Sequence, residues 1–323
     1  MSLSRRTVLG GLSGLVLTQC GKEPAKPAGG SVQRGMIGAS LLTLQNPFFK
    51  VIGDQLAIEA AKHGYQTLVV SADNDVARQS NQVKDFIVKK CVAIVLSPAD
   101  SKSIVPVIQE ANAAGIPVFT VDIPCNEPGV KIATQISTDN LGGGREAGHA
   151  MIEALGNQGG KVGILDLKQV ESCILRVKGF KEVIDAHNAS NTAGKIEIVA
   201  ELDGGGAKDK GFKAAEDMLQ AQPELRGIFA INDPAALGAR AALEKAGRAD
   251  RVLIIGFDGQ PEGKQAIKDG KIFADPIQFP DKMGVEIALA VIRHSKGESL
   301  PSQTLIPTQL YRQADGAQDP SLR

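Results

Sequence analysis

Residues 94–122 read IVLSPADSKSIVPVIQEANAAGIPVFTVD, and residues 228–258 read IFAINDPAALGARAALEKAGRADRVLIIGFD. Each stretch has an apolar run, a polar helix start, an Ala-rich helical segment with a nearby glycine, and a second apolar run that ends in aspartate. Runs that are apolar almost throughout are typical of strands buried on both faces of a parallel sheet. Each stretch therefore predicts a β-α-β unit, and the repetition predicts two lobes of similar topology.

The same alternation extends in both directions along the chain. Asn46 and Pro47 predict the start of the first helix as N-cap and N1 residues, and Gly64 predicts its end. We predict α/β architecture with two doubly wound parallel sheets, and we expect the last helix to return to the first lobe. The predicted strands lie at residues 36–40, 67–71, 93–97, 117–122, 161–167, 196–202, 226–232, 251–258 and 272–278. After the first helix, further helices are predicted at about 75–90, 101–114, 140–155, 172–187, 208–221, 234–246, 262–269 and 281–296.

The composition is that of an ordinary globular protein. Of 323 residues, 43% are hydrophobic and 22% are charged. The chain is long enough to form two domains, each with its own hydrophobic core. Lys plus Arg and Asp plus Glu both total 36, so the formal net charge is zero. A nucleic-acid partner would usually require a basic surplus, so we expect none.

Residues 1–20 differ from the rest of the chain and have the pattern of an export signal. Arg5 and Arg6 precede an apolar run at 8–17, which is too short to cross a bilayer but suits a signal sequence. The stretch SRRTVL resembles a twin-arginine signal. We therefore predict an exported protein.

The residues around Cys20 resemble a lipoprotein processing site. LTQC at 17–20 is similar to a lipobox, which implies that Cys20 is lipidated. Residues 21–31, GKEPAKPAGGS, contain nothing apolar to bury and predict a flexible tether. The prediction is a protein in the periplasm or held on the outer face of a membrane.

The other cysteines and the histidines indicate neither a metal site nor a cofactor. Cys91, Cys125 and Cys173 lack metal-ligand spacing, and the first is expected to be buried. A pairing of Cys125 with Cys173 stays open. The four histidines are scattered along predicted helices, so we expect no metal and no cofactor.

Polar and aromatic side chains recur where the predicted strands end, which is where parallel sheets bind ligands. Any one of them could be a helix cap, but several at one end of two sheets favour a binding site. A sugar hydroxyl both donates and accepts, which suits carboxylates and carboxamides, and the C–H faces of a sugar pack on aromatic rings. The pattern predicts a polyhydroxylated neutral ligand. The residues are Asn46, Phe48, Phe49, Asp122, Asn232, Asp233, Asp258 and Gln278.

The motifs LQNPFF, VFTVD, STDNLGGGREAG, RVKGF, IFAINDPAALGA, IIGFDG and IQFPDKMG occur in this order from residue 44 to residue 284. From about residue 32 to the C-terminus, the chain resembles the periplasmic sugar-binding proteins of ABC transporters, closest to the ribose-binding type. This resemblance implies the type I periplasmic binding fold, with Rossmann-like lobes at 32–138 plus 279–307 and at 139–278 plus 308–323, joined by a three-strand hinge. It implies that the ligand is held from one lobe by Asn46, Phe48, Phe49 and Asp122, and from the other by Arg176, Asn232, Asp258 and Gln278.

The resemblance also implies the function and the partners. We expect a monomer that binds a monosaccharide or polyol, closes about hinge crossings near residues 138, 279 and 307, and delivers the ligand to an ABC permease in the membrane. A receptor for a sugar or for autoinducer-2, in chemotaxis or signalling, has the same fold and remains the alternative.

Two positions depart from the ribose-binding type and affect which sugar fits. That type has an arginine directly after the first-lobe aspartate, where this chain has Ile123, and an aromatic residue about where this chain has Gly204. Loss of a donor and of a stacking face changes which hydroxyls can be satisfied. Ribose is therefore not the expected ligand, and ketohexoses, other pentoses and polyols remain open.

An enzyme is not expected. The glycine-rich segment 142–147 lies inside a predicted helix and not in a strand-to-helix turn, so it does not predict a dinucleotide site. Asp122 and Asp258 form the one carboxylate pair suited to glycoside hydrolysis, and the chain lacks additional substrate subsites. A sugar-responsive repressor would need an N-terminal helix-turn-helix in the place of the export signal.

Overall fold

The computed structural model describes residues 34–190 and 194–322, so the predicted signal, tether and Cys20 lie outside the described residues. The described residues contain two six-stranded sheets. The first has the order β11-β5-β4-β3-β1-β2, and all its strand pairs are parallel. Its strands are β1 (Met36–Leu41), β2 (Gln66–Ser71), β3 (Ala93–Leu96), β4 (Val118–Val121), β5 (Ile132–Thr138) and β11 (Gln303–Ile306).

The second sheet repeats this topology, with the order β12-β10-β9-β8-β6-β7. Only the edge pair of β10 with β12 is antiparallel among the described strands. Residues 94–122 and 228–258 occupy equivalent places in the two sheets, which confirms the predicted two-lobe α/β fold. The strands are β6 (Gly160–Asp166), β7 (Ile196–Asp203), β8 (Leu225–Ala230), β9 (Leu253–Ile255), β10 (Ala274–Ile277) and β12 (Gln309–Arg312).

The helices begin and end close to the predicted positions. The Asn46 side chain accepts a hydrogen bond from the Phe48 N–H at 3.0 Å, and Pro47 is the first helical residue of α1. The third helix begins later than predicted because Asp100 caps a separate turn that precedes it. The helices are α1 (Pro47–Lys62), α2 (Val76–Val88), α3 (Val105–Ala113), α4 (Asn140–Leu155), α5 (Glu171–Ser190), α6 (Lys208–Ala221), α7 (Asp233–Lys245), α8 (Pro261–Lys268), α9 (Pro280–Ser295) and α10 (Gln313–Gln318).

The described chain passes between the sheets three times: after β5, after β10, and between β11 and β12. As expected, α9 returns to the first sheet, where it packs against α1, β4 and β5. The strands β5, β11 and β12 and the short helix α10 are absent from the sequence prediction. These strands mix polar with apolar residues, as in IATQIST, QTLI and QLYR, so they lack the continuous apolar run of the central strands.

Glycines bring helices α4 and α5 into close contact. A Cβ atom on Gly144 would lie 2.1 Å from the carbonyl oxygen of Arg176, and one on Gly179 would lie 2.2 Å from that of Leu141. No side chain fits at these distances, so both positions require glycine. The glycine-rich segment therefore sets the approach of α5, the helix that carries Arg176.

We expect Gly144→Ala to push α5 away from α4 and to lower the free energy of unfolding by about 1–3 kcal/mol, the usual effect of overpacking. In an unobstructed helix the same change stabilises by roughly 0.5–1 kcal/mol, so the sign of the effect is informative. Urea unfolding followed by circular dichroism measures it. An unchanged or higher midpoint would show that the two helices are not held by this contact.

Candidate functional site

A cavity of about 540 Å³ lies where the carboxyl ends of the strands of both sheets meet. Its walls come from the start of α1, the segment after β4, helix α5 and the segments after β7, β8, β9 and β10. All eight side chains that the sequence predicts as ligand contacts line it. They are Asn46, Phe48, Phe49, Asp122, Arg176, Asn232, Asp258 and Gln278.

The aromatic wall of the cavity is formed by the first turn of α1. Phe48 and Phe49 are both buried, and their rings meet edge to face with centroids 5.3 Å apart and planes at 82°. The Asn46 Oδ1 atom caps the helix, whereas its Nδ2 atom makes no hydrogen bond with any described residue. This wall therefore offers two perpendicular rings and one free amide donor.

Asp122 follows β4 and presents an unsatisfied carboxylate to the cavity. Its backbone has a φ of 66°, its side chain is buried, and its Oδ1 atom has no hydrogen-bond partner among the described residues. Burial raises its pKa to about 7, with Arg176 opposing the shift and Asp258 adding to it. The adjacent Ile123 is also buried and lines the cavity, and it offers no donor. A ligand is therefore the natural source of donors for this carboxylate.

Arg176 on α5 is fixed by three protein acceptors and one ring. Its Nε donates to Asn140 Oδ1 at 2.8 Å, and its Nη1 donates to the Ile231 carbonyl at 2.7 Å and to Asp258 Oδ1 at 3.1 Å. The guanidinium carbon lies 3.9 Å from the centre of the Phe257 ring. Its Nη2 makes no hydrogen bond with the described residues, so this group retains donors for a ligand.

Asp258 is the centre of a hydrogen-bond network that spans both sheets. Its Oδ1 accepts from Arg176 and, at 2.6 Å, from Gln278 Nε2, and its Oδ2 accepts from Gln260 Nε2 at 3.3 Å. Gln278 Oε1 in turn accepts from Thr138 Oγ1 of β5 at 2.5 Å. Burial raises the pKa of Asp258, while Arg176 and the two glutamines oppose the shift.

The Asn232 and Gln278 side chains are already hydrogen-bonded to protein groups through both ends of the amide. Asn232 Oδ1 caps α7 by accepting from the Ala235 N–H at 3.0 Å, and its Nδ2 donates to the Gly206 carbonyl at 3.1 Å. Both functional groups of the Gln278 amide are likewise bonded, to Thr138 and Asp258. An amide NH2 group has two hydrogens and an amide oxygen has two lone pairs, so each side chain keeps one N–H and one lone pair for a ligand.

The two departures from the ribose-binding type have different outcomes. Ile123 lines the cavity as expected, whereas Gly204 does not. A Cβ atom on Gly204 would lie 3.0 Å from the Cβ atom of Leu165, inside the second lobe. The cavity is lined instead by Gly205 and Gly206, whose φ angles of 58° and 60° turn the chain there.

Several residues that hold the site were not predicted from the sequence. Asn140 and Thr138 contact Arg176 and Gln278 without lining the cavity, and the motif STDN was the available signal for them. Gln260 lines the cavity beside Asp258, and no sequence pattern marks it.

The described cysteines are unpaired and buried: Cys91, Cys125 and Cys173. The possible Cys125 to Cys173 disulfide is therefore not formed, and Cys173 lines the cavity.

Within residues 34–190 and 194–322, no helix has the length and apolarity to cross a membrane. No group of three or more His, Cys, Asp or Glu side chains in the same residues could hold a metal ion.

The periplasmic binding protein domain family matches residues 37–299 of the chain. The chain is 34% identical to a ribose import binding protein of Bacillus subtilis over 84% of its own length and 87% of that protein. It is also 34% identical to a D-apiose import binding protein of Actinobacillus succinogenes, over 73% of this chain and 74% of that one. A solute-binding protein from Actinobacillus succinogenes with bound D-allose superposes with a TM-score of 0.80 at 26% identity, covering 88% of this chain and all of that one.

Proposed function

Because the chain belongs to the periplasmic binding protein domain family, we propose that it is the sugar-binding component of an ABC importer and binds a monosaccharide or polyol in the cavity between the sheets. The observation that carries this proposal is the buried carboxylate of Asp122, which has an unsatisfied oxygen and faces a cavity that already contains a bonded Arg176–Asp258 pair. Hydroxyl groups supply the missing donors without adding charge. The import relatives of similar sequence support the same class of ligand.

The proposed mechanism is closure of two lobes on the ligand, as 32–138 plus 279–307 and 139–278 plus 308–323. A sugar that contacts both lobes stabilises the closed form through contacts that the open form lacks. An ABC permease then recognises the closed protein, and no chemical step takes place. Small-angle scattering should show compaction with a bound sugar, and calorimetric binding without any compaction would contradict closure.

We propose that the protein acts in the periplasm as a monomer, exported by a twin-arginine signal and anchored through a lipid on Cys20. The support is the sequence of residues 1–31, together with the family's periplasmic setting. Incorporation of labelled palmitate should be lost in Cys20→Ala. Incorporation that persists in this variant would contradict the anchor.

The function is tested by a thermal-shift screen against D-ribose, D-apiose, D-allose, D-fructose, D-tagatose and myo-inositol. A ligand at 100 times its dissociation constant stabilises a protein by about 2.7 kcal/mol, which is a readily measured shift. We expect at least one compound to shift the midpoint and D-ribose to shift it less, because Ile123 offers no donor. No shift with a wider panel of pentoses, hexoses and polyols would contradict the proposed function.

Sugar affinity should rise with pH through neutrality because of Asp122. Hydroxyl donors favour the carboxylate over the carboxylic acid, and the pKa of this group in the free site is about 7. Below that pH, binding must displace a proton, so affinity falls by up to about tenfold per pH unit. Calorimetry between pH 5 and 8.5 measures the slope, and Asp122→Asn should bind more weakly but with that slope removed. An identical slope in the variant would assign the pH dependence to another group.

In the unliganded protein, Asp122 should make the free energy of unfolding fall as pH rises, which is opposite to its effect on sugar affinity. The folded-state pKa of Asp122 is raised above its ordinary value of 3.8, so its contribution to stability is complete below that value and is lost as pH rises through about 7. Urea unfolding should therefore show that the free energy of unfolding of Asp122→Asn rises relative to that of the wild type between pH 4 and pH 8. A constant difference over this range would mean that Asp122 is not protonated in the free site.

A further inference from the structure

A second pair of acidic side chains lies beside the cavity and has no role in the network described above. Asp233 is the first residue of α7 and lines the cavity, and Asp275 lies in β10. Both are buried, with 1% and 0% of their surface exposed. Asp233 Oδ1 and both oxygens of Asp275 have no hydrogen-bond donor among the described residues. Strand β10 packs on the start of α7 here, because a Cβ atom on Gly256 would lie 2.4 Å from Asp275 Oδ1 and 3.3 Å from the Cβ atom of Ala236, and a side-chain hydrogen bond with Asp275 contributes to the raised pKa of Asp233.

The pair is connected directly to the turn that carries Asp258. Asp233 Oδ2 accepts a hydrogen bond from the Gln260 N–H at 2.6 Å, and the Gln260 side chain donates to Asp258 at 3.3 Å. The turn has left-handed backbone at two successive residues, with φ of 106° at Asp258 and 74° at Gly259. A non-glycine residue in this region needs surrounding contacts to hold it, and the Asp233 bond is one of them.

Packing around the pair is too close for another side chain to enter. A Cβ atom on Gly256 would lie 2.4 Å from Asp275 Oδ1, and one on Gly263 would lie 2.1 Å from Asp233 Oδ1. Two adjacent buried carboxylates cannot both ionise without a large electrostatic cost, whereas one proton between them makes a hydrogen bond. The geometry thus favours one acid and one carboxylate.

We propose that Asp233 and Asp275 share a single proton and act as positioning residues, which hold the 258–260 turn so that Asp258 keeps its place in the cavity. The link to sugar binding rests on the function proposed above. The shared proton itself does not, because it concerns contacts that exist in the unliganded chain. Loss of that proton would set two negative charges against each other and weaken the Asp233 to Gln260 bond by displacing Asp233.

The charged groups around the pair favour retention of the proton. Asp258 faces it from the turn after β9 and raises the pKa of both members, while the positive charge of Arg176 is already committed to Asp258. On α8, Lys264 interacts with Asp319 and with the ring of Tyr311, the residue paired with Asp275 on β12. Glu262, also on α8, pairs with Lys208. Burial is the largest cause of the raised pKa of both carboxyls, which is about 6 for Asp275.

The first test follows the Gln260 amide by NMR in the unliganded protein between pH 4 and 9. In the wild type this resonance should move along a sigmoidal curve as the pair loses its proton. In Asp275→Asn, the asparagine side chain donates a hydrogen bond to Asp233 at every pH. The pH-dependent movement of the Gln260 resonance should therefore leave this range or vanish. An unchanged curve in Asp275→Asn, or a flat curve in the wild type, would overturn the proposal.

The second test compares urea midpoints at pH 5, 6, 7 and 8 for the wild type, Asp275→Asn and Asp233→Asn. A folded-state pKa raised above 3.8 gives stability that is complete below that value and is lost as pH rises through the raised pKa. The urea midpoint of each variant should therefore rise relative to that of the wild type as pH rises. This holds even if one variant is less stable than the wild type at every pH. Asp250 is exposed, so Asp250→Asn is the control, and its urea midpoint should differ from that of the wild type by the same amount at every pH. Parallel curves for all variants would overturn the shared proton.

Binding supplies the readout for positioning. D-Ribose, D-allose and myo-inositol serve as probes, and for any that binds, the ratio of the wild-type affinity to that of Asp275→Asn should fall as pH rises through the titration that the Gln260 amide reports. A constant ratio would overturn the positioning role. If none of a broad sugar panel binds, the proposed function fails, while the NMR and urea series still decide whether the proton is shared.

Discussion

Replacing Arg176 with alanine is expected to remove measurable sugar binding and to lower the free energy of unfolding by about 3–5 kcal/mol, the cost of leaving a buried charge without its partner. The Arg176 and Asp258 side chains are only 4% and 5% exposed, so water cannot replace the missing guanidinium. The substitution also removes the donors to Asn140 and to the Ile231 carbonyl. One change therefore damages both the cavity wall and the fold around it.

Urea unfolding and calorimetry separate these two effects. Arg293→Ala is a matched control, because Arg293 forms an exposed pair with Glu298 that should contribute no more than about 1 kcal/mol. The double variant Arg176→Ala/Asp258→Asn should recover part of the lost stability, since it removes the unpaired charge, but none of the sugar binding. If Arg176→Ala unfolds at the wild-type urea concentration, the buried pair has no structural role.

The sequence predicts the strands that are apolar runs and misses those that mix polar with apolar residues. The central strands are nearly continuous apolar runs, such as AIVL in β3 and LII in β9, because both of their faces are covered by helices. The edge strands β11 and β12 each begin with an exposed glutamine and mix polar with apolar residues over only four positions, so their pattern does not differ from that of a loop. Pairing between distant segments creates these strands, and a local pattern does not contain that information.

The same limit applies to the candidate site. The rule that ligands bind at the carboxyl ends of parallel strands selects residues that do line one cavity. It does not show that Asn232 and Gln278 would already be bonded to Gly206, Asp258 and Thr138. Asp275 could not be found this way, because it lies inside the short strand β10 and its partner is 42 positions earlier in the chain.

The two walls of the cavity differ in how complete they are without a ligand. In the second lobe, Arg176, Asn232 and Asp258 are bonded to protein groups, which fixes their geometry before any sugar arrives. In the first lobe, Asp122 Oδ1 and the Asn46 Nδ2 group have no partner among the described residues. A preorganised wall lowers the entropy cost of binding. Ligand hydrogen bonds are therefore expected at Asp122 and Asn46 in the first lobe and at the Nη2 group of the already positioned Arg176 in the second.

Phe48→Ala and Phe49→Ala are each expected to cost about 3–5 kcal/mol of stability, because both rings are buried against the core of the first lobe. Leucine keeps most of the volume and removes the flat face, so Phe48→Leu and Phe49→Leu isolate the contribution of stacking to binding. Phe86→Leu is the control, since Phe86 is buried in a separate cluster of the same lobe and does not line the cavity. It should lower stability without changing affinity.

The geometry of the ring pair predicts an unequal result for the two leucine variants. With planes at 82°, only one ring can lie parallel to the flat face of a bound sugar, and the other must meet it edge on. Stacking of aromatic faces is worth about 0.5–1.5 kcal/mol beyond area burial, which corresponds to roughly 2- to 12-fold in affinity. Calorimetry should therefore show one variant losing affinity by that factor and the other losing mainly stability. Equal losses of affinity would mean that both rings act as a single apolar wall, with no stacked sugar between the lobes.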